Sequence, residues 1–252
     1  MRQGSFVPGV TGRTRPGTER SPRTEHPLLG MPRRDAVVTA VLATATALLF
    51  VLVAFHATRA PIQRIDDWFL RRMLSLRSGP LTAIAKFFNV LGLVSVMLPA
   101  RVAIAGFLAF RRRWWHAAAF VAAIVLSEAS IGTVKSIYDR SRPPGSLVAT
   151  SGGSFPSGHA VAAAVTVVAA VIALFPEGPR RYAWGVAAVA FSVLMALSRA
   201  YLAAHWLSDA VAGVLLGTTE AMLAAHIVHL LRVRGEGRAG PEAVAAERWE
   251  GA

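Results

Sequence analysis

Six apolar segments, each near the roughly 20 residues that cross a bilayer, constrain this chain more than any other feature. They run over residues 36–57, 87–110, 114–137, 159–176, 182–199 and 206–231. The reading is an all-α, polytopic membrane protein with about six transmembrane helices in one domain, residues 35–232. Composition supports it: 54% of residues are hydrophobic and only 16% charged, unlike an ordinary soluble domain. Residues 1–34, rich in Arg, Pro, Gly, Ser and Thr, read as a disordered basic tail. That tail is too long and polar for a secretory n-region, and the first apolar segment is too long for a signal-peptide core. Residues 233–252 read as a second flexible tail. Between the first two segments, Pro61 to Phe88 mixes Ile, Trp, Phe, Met and Leu with five charges between Arg64 and Arg72. This stretch is expected to lie as an amphipathic helix at the membrane surface.

The formal net charge is +13, from 27 Lys+Arg against 14 Asp+Glu. The arginines cluster in tails and short loops between apolar runs, the pattern of topology signals and anionic headgroup contacts rather than of nucleic-acid binding. Seven precede the first segment, Arg111-Arg112-Arg113 separates the second from the third, Arg180-Arg181 the fourth from the fifth, and Arg232 and Arg234 follow the sixth. With six spans all four groups share one side, which is then cytoplasmic. Arg59, Arg64, Arg71, Arg72 and Arg77, after the first segment, vote the other way. Cysteine is absent, which excludes disulfides, zinc–thiolate sites and thiol nucleophiles.

Polar residues at the ends of these segments carry the chemistry. Lys135 and Arg142-Pro143 lie between segments three and four, Pro156-Ser157-Gly158-His159 opens the fourth, and Ser198-Arg199, His205 and Asp209 join five to six. Both connections are odd-numbered, so six spans bring them to one face, the extracytoplasmic one. Singly, each is weak. Basic residues at helix ends often only snorkel to headgroups, Pro-Ser-Gly is ordinary turn chemistry, and His205 with Asp209 four residues on can be a local structural pair. Together, Lys135, Arg142 and Arg199 supply three cations for an anion. The Ser157–His159 turn supplies a helix N-terminus whose free N–H groups favour one. Gly158 permits close backbone approach, and Ser157 adds a hydroxyl. His159 is placed as an acid for a departing oxygen. Asp209 can fix the tautomer of His205 and leave its other nitrogen free to attack. A divalent metal fits poorly among so many cations.

These segments resemble the signature of the type 2 phosphatidic acid phosphatase superfamily, which includes the vanadium-dependent haloperoxidases. That signature is Lys, six residues, Arg-Pro; then Pro-Ser-Gly-His; then Ser-Arg, five residues, His, three residues, Asp. Every specified position is met between Lys135 and Asp209. The resemblance implies a haloperoxidase-like phosphatase helical bundle that hydrolyses a lipid phosphate or diphosphate through a phosphohistidine intermediate without metal or other cofactor. His205 would be the nucleophile, Asp209 its orienting carboxylate and His159 the acid for the leaving group. Lys135, Arg142, Arg199, Ser157 and Gly158 would hold the phosphoryl oxygens, with Ser198 in a supporting contact at most. The implied partners are the bilayer and a membrane lipid phosphate such as undecaprenyl diphosphate, phosphatidic acid or phosphatidylglycerophosphate, met in a bacterial plasma membrane. A vanadate-dependent oxidase and a non-catalytic lipid-phosphate transporter are the rival readings. Two further charges lie mid-segment, Arg101 and Glu128, and are expected to pair for packing because a lone charge at that depth is costly. Glu220, His226 and His229 receive no function, and Trp114, Trp115 and Trp184 read as interfacial anchors.

Overall fold

The computed structural model describes residues 28–29 and 32–250, with eight helices and no strand among them. They are α1 (Pro32–Ala54), α2 (His56–Ser75), α3 (Gly79–Leu91), α4 (Val94–Phe110), α5 (Trp114–Ile137), α6 (Gly158–Leu174), α7 (Pro179–Tyr201) and α8 (Leu207–Glu250). Most of the N-terminal stretch read as a tail, residues 1–27, 30 and 31, lies outside the described residues. Leu28 and Leu29 are fully buried against Ala119, Ile172, Ala225 and Val228, and the Leu28 carbonyl accepts from Arg181 Nη1 at 2.9 Å. At the other terminus the α8 backbone stays helical through the stretch read as a flexible tail.

Among the described residues, four helices are long and apolar enough to cross a membrane: Arg33–Ala54, Trp114–Ile137, Pro179–Tyr201 and Leu207–Gly235. The second expected segment, 87–110, begins inside α3 and ends with α4, and the two helices meet at a 54° bend across Gly92 and Leu93. As a pair they make a fifth candidate span. The remaining segment, expected at 159–176, forms α6, which is only 17 residues long. By length it is not one of the candidate spans, so four or five of the six expected spans are seen. Ala160, Val161, Ala163, Ala164 and Val165 have no exposure at all, because α5, α7 and α8 enclose the helix. Such a helix spends its apolar surface on protein rather than on lipid.

Small residues let α6 and α8 approach closely. A Cβ added at Gly213 would lie 2.7 Å from the Ser157 carbonyl oxygen, and one at Gly217 would lie 2.5 Å from that of Val161. Glycines four apart on one helix face are the usual means of bringing membrane helix backbones together. The contact seats the Ser157 turn directly on the first turn of α8, where the Ser157 N–H donates to the Asp209 carbonyl at 3.0 Å.

α2 is two-faced, as its composition suggests. Arg64, Ile65, Trp68, Arg71 and Arg72 are exposed, while Asp66, one position from Ile65, is fully buried. The expected mid-bundle pair is present: Arg101 Nη1 meets Glu128 Oε1 at 2.7 Å, and Arg101 Nε donates to the Thr166 hydroxyl at 2.9 Å. Trp114 and Trp184 are exposed, the latter stacked on Phe175.

Candidate active site

The end of α5, the start of α6, the end of α7 and the turn into α8 meet at one end of the bundle. Arg142 is locked in the loop between α5 and α6 by backbone carbonyls. Its Nε donates to Gly152 at 3.0 Å, its Nη2 to Ser151 at 2.7 Å and to Gly153 at 3.2 Å, and its Nη1 to Ala204 at 2.7 Å. Lys135 Nζ reaches the same Gly153 carbonyl at 3.3 Å. Arg142 Nη1 also lies 3.1 Å from His205 Nε2. A guanidinium has no lone pair to offer, so His205 Nε2 must be the acceptor in that contact. The ring proton then sits on Nδ1, which donates to the Ser154 carbonyl at 2.7 Å. The geometry therefore fixes the tautomer with the lone pair of Nε2 facing the cations.

The expected role of Asp209 needs correction here. Its Oδ2 is 3.7 Å from His205 Nδ1, beyond hydrogen-bond range. Other groups have taken its oxygens: Arg140 Nη1 donates to Oδ1 at 2.6 Å, and the Trp206 N–H (2.9 Å) and the Ser154 hydroxyl donate to Oδ2. Asp209 thus acts on the imidazole through charge, while the Ser154 carbonyl makes the orienting bond. His205 lies in the turn between α7 and α8. Burial holds its pKa below the ordinary value of 6.5, the Arg199 and Arg142 charges push the same way, and Asp209 opposes them. The imidazole is therefore neutral near pH 7.

Three polar atoms of the predicted set are buried without a hydrogen-bond partner in the protein: the Ser157 hydroxyl, His159 Nε2 and Arg199 Nε. Buried polar groups are nearly always paired, so three orphans from two distant motifs mark where a polar ligand belongs. Ser157 is the N-cap of α6, yet its side chain caps nothing. At Gly158 no atom beyond its chain neighbours and its own helix backbone lies within 4 Å of where a Cβ would be. His159 is the residue whose ring feels the charges of Arg199, His205 and Lys135 together. Ser198 stands apart: its hydroxyl is spent on the Met195 carbonyl of its own helix at 2.7 Å.

Several residues that motif spacing did not reveal complete the surroundings. Asn89, near the end of α3, accepts from Arg199 Nη1 through its side-chain oxygen. Gly92, at the bend into α4, has no room for a side chain, because a Cβ there would enter the His159 ring. Arg140, Asp66, Ser208 and Gln63 form a buried polar cluster behind Asp209. One signal for Asp66 was available, since it is the acidic residue that the helical period turns away from the exposed arginines of α2.

Among the described residues, a helical bundle with candidate membrane spans and with cations gathered at one end defines a class of membrane-embedded proteins with an anion-attracting site. Within that class, residues 116–232 match the PAP2 superfamily, and that stretch contains all three motifs. Phosphatidylglycerophosphatase B of Bacillus subtilis is 27% identical over 176 residues, covering 68% of this chain and 86% of that protein. The crystal structure of a transmembrane PAP2-type phosphatidylglycerolphosphate phosphatase from Bacillus subtilis superposes with a TM-score of 0.66 at 25% identity, covering 74% of this chain and 93% of the other. LpxE of Aquifex aeolicus shares the fold, with a TM-score of 0.51 at 21% identity over 62% of this chain and 91% of its own.

Proposed function

We propose that the protein is a metal-independent lipid phosphate phosphatase working through a phosphohistidine. The observation that carries this is the convergence of Lys135, Arg142 and Arg199 with two imidazoles around the orphaned Ser157, His159 and Arg199 atoms. Phosphoryl transfer asks chiefly for positioning and for charge on the equatorial oxygens, and three fixed cations with a helix N-terminus supply both.

In the first step the Nε2 lone pair of neutral His205 forms the N–P bond as the bond from phosphorus to the leaving oxygen breaks. The imidazolium form of His159 gives that oxygen its proton. A protonated His159 is costly among so many cations; the phosphate brings the countercharge that sustains it. In the second step neutral His159 takes a proton from water, the hydroxide attacks phosphorus and the N–P bond breaks. Phosphate leaves and His205 is restored.

The apolar scaffold supports a substrate with a hydrocarbon tail, entering sideways from the bilayer. The Bacillus subtilis phosphatase matched in sequence and in structure is named for phosphatidylglycerophosphate, which makes it the first lipid to try, before phosphatidic acid and undecaprenyl diphosphate. The arginine pattern supports an extracytoplasmic site in a bacterial plasma membrane. Purified protein should release phosphate from at least one of the three in EDTA, with inhibition by vanadate. His205→Ala should lose at least about 10³-fold in turnover, as removal of a nucleophile does. A strict Mg²⁺ requirement for the chemical step would refute the mechanism.

A further inference from the structure

Arg140 lies two residues before the signature Arg142 and looks like one more loop charge. In the fold it is buried, with its guanidinium spread over four partners. Nη1 donates to Asp209 Oδ1 at 2.6 Å and to the Ser208 hydroxyl at 2.7 Å. Nη2 donates to Asp66 Oδ2 at 2.7 Å and to Gln63 Oε1 at 2.9 Å. Asp66 in turn accepts from the Ser208 N–H at 2.8 Å and from its hydroxyl at 2.6 Å, so a carboxylate on α2 is fastened to the first turn of α8. The backbone of Arg140 joins in, because its carbonyl accepts the Ser154 N–H at 2.8 Å.

Ser154 and Asp209 are the two groups that face the Nδ1 side of His205. Arg140 holds the first by its main chain and the second by its side chain. With Ser154 also donating to Asp209 Oδ2, the three residues close a ring behind the imidazole. Asp66 supplies a second anion, so the cluster carries two carboxylates and one guanidinium, all almost completely buried. Removing one member of such a group leaves the others as uncompensated charge, which makes the arrangement rigid.

We propose that Arg140 is the positioning residue of this site, and that Asp66 of α2 fixes Arg140 in place. By occupying Asp209 Oδ1 and fixing the Ser154 carbonyl, Arg140 makes that carbonyl the acceptor for Nδ1–H and aims Nε2 at the phosphorus. α2 thereby belongs to the catalytic scaffold as well as to the surface. The proposal rests on the phosphatase reading above.

The test uses full-length protein in detergent, with Arg140→Lys and Asp66→Asn as variants. Lysine keeps the charge but is a point donor that cannot reproduce the planar fork. Asparagine keeps the shape of Asp66 and removes its charge. Two readouts are needed: kcat and KM per folded molecule, and the ¹⁵N shifts of the His205 ring. Displaced supporting groups commonly cost 10- to 100-fold, so Arg140→Lys is expected to lose about that much in kcat with KM changed less than about threefold. Asp66→Asn is expected to lose about three- to tenfold. In both, the ring resonances should move from one Nδ1–H tautomer toward a mixture. Wild-type kcat per folded molecule with unmoved resonances would overturn the proposal, whatever happens to thermal stability. If Arg140→Lys does not fold, Asp66→Asn alone decides by the same two readouts. His205→Ala separates the two hypotheses: its activity would sink the phosphatase reading, whereas an inactive His205→Ala beside fully active variants would sink the positioning proposal alone.

Discussion

Among the described residues, two arginines lie buried with a carboxylate 2.6–2.7 Å away, and they differ in what surrounds the pair. Arg101 joins α4 to α5 and α6 through Glu128 and Thr166, but the Glu128 side chain is 59% exposed. Arg140 bridges Asp66 and Asp209, whose side chains are 1% and 0% exposed. The first is a strut with one end free to adjust. The second has no freedom left, and it stands directly behind the imidazole. A buried ion pair is therefore not one kind of object: its consequence for function depends on how far its partners are over-determined.

The largest effect that would break this contrast concerns Asp209 and Glu128. Asp209→Asn is expected to lower phosphate release per folded molecule by about 10²-fold or more, since it disturbs the groups that orient the imidazole. Glu128→Gln should stay within about threefold by the same assay, as surrounding contacts absorb the change. Equal losses would erase the distinction. Next in size is Gly92→Ala. The added methyl must displace the His159 ring or the α3–α4 bend, and about 10- to 100-fold in kcat is expected from a misplaced acid. Circular dichroism and a thermal melt should meanwhile show a folded protein.

The pH profile sharpens the contrast further. His205 attacks in its neutral form, and burial with the nearby cations holds its pKa below 6.5. The acid limb of kcat/KM should therefore lie below pH 6.5, with activity lost as pH falls through it. Arg142→Gln removes a cation, lets the imidazole protonate more readily and should move the limb upward. Glu128→Gln should leave it in place. The smallest effect is expected from Arg101→Met: a loss of about 1–2 kcal/mol in stability, as for polar contacts between membrane helices. It would be read as a lower melting temperature with unchanged turnover per folded molecule.

How much was legible in the sequence divides along the same line. Lys135, Arg142, Ser157, Gly158, His159, Arg199, His205 and Asp209 could be named because the chemistry places them at fixed spacings within short stretches of chain, and the structure gathers them at one end. The Arg101–Glu128 pair was legible too, since two lone charges in apolar segments have few alternatives. Asp66 was legible only as an inward-facing carboxylate of α2: its partners Arg140 and Ser208 are 74 and 142 positions away, and no local pattern encodes that meeting. Asn89 and Gly92 were hidden for another reason. The apolar run 87–110 reads as continuous, while the bend at Gly92 and Leu93 turns part of it into a wall of the site. Six segments of near-equal length likewise concealed how different α6 is, because hydropathy does not separate a helix wrapped by protein from one bathed in lipid. Spacing shows which residues share a face but not which donor wins each oxygen, so it did not reveal that the Ser154 carbonyl, rather than Asp209, lies within hydrogen-bond range of His205 Nδ1.

The short α6 has a consequence for height. A helix of 17 residues rises about 25 Å, while the hydrocarbon layer is about 30 Å thick. If α6 crosses with its far end at one water boundary, its N-terminus, with Ser157 and Gly158, would lie some ångströms under the opposite headgroup plane. A lipid phosphate would sink by roughly 5 Å to reach it, its tail never leaving oil, whereas a dissolved phosphate ester would have to descend into the slab.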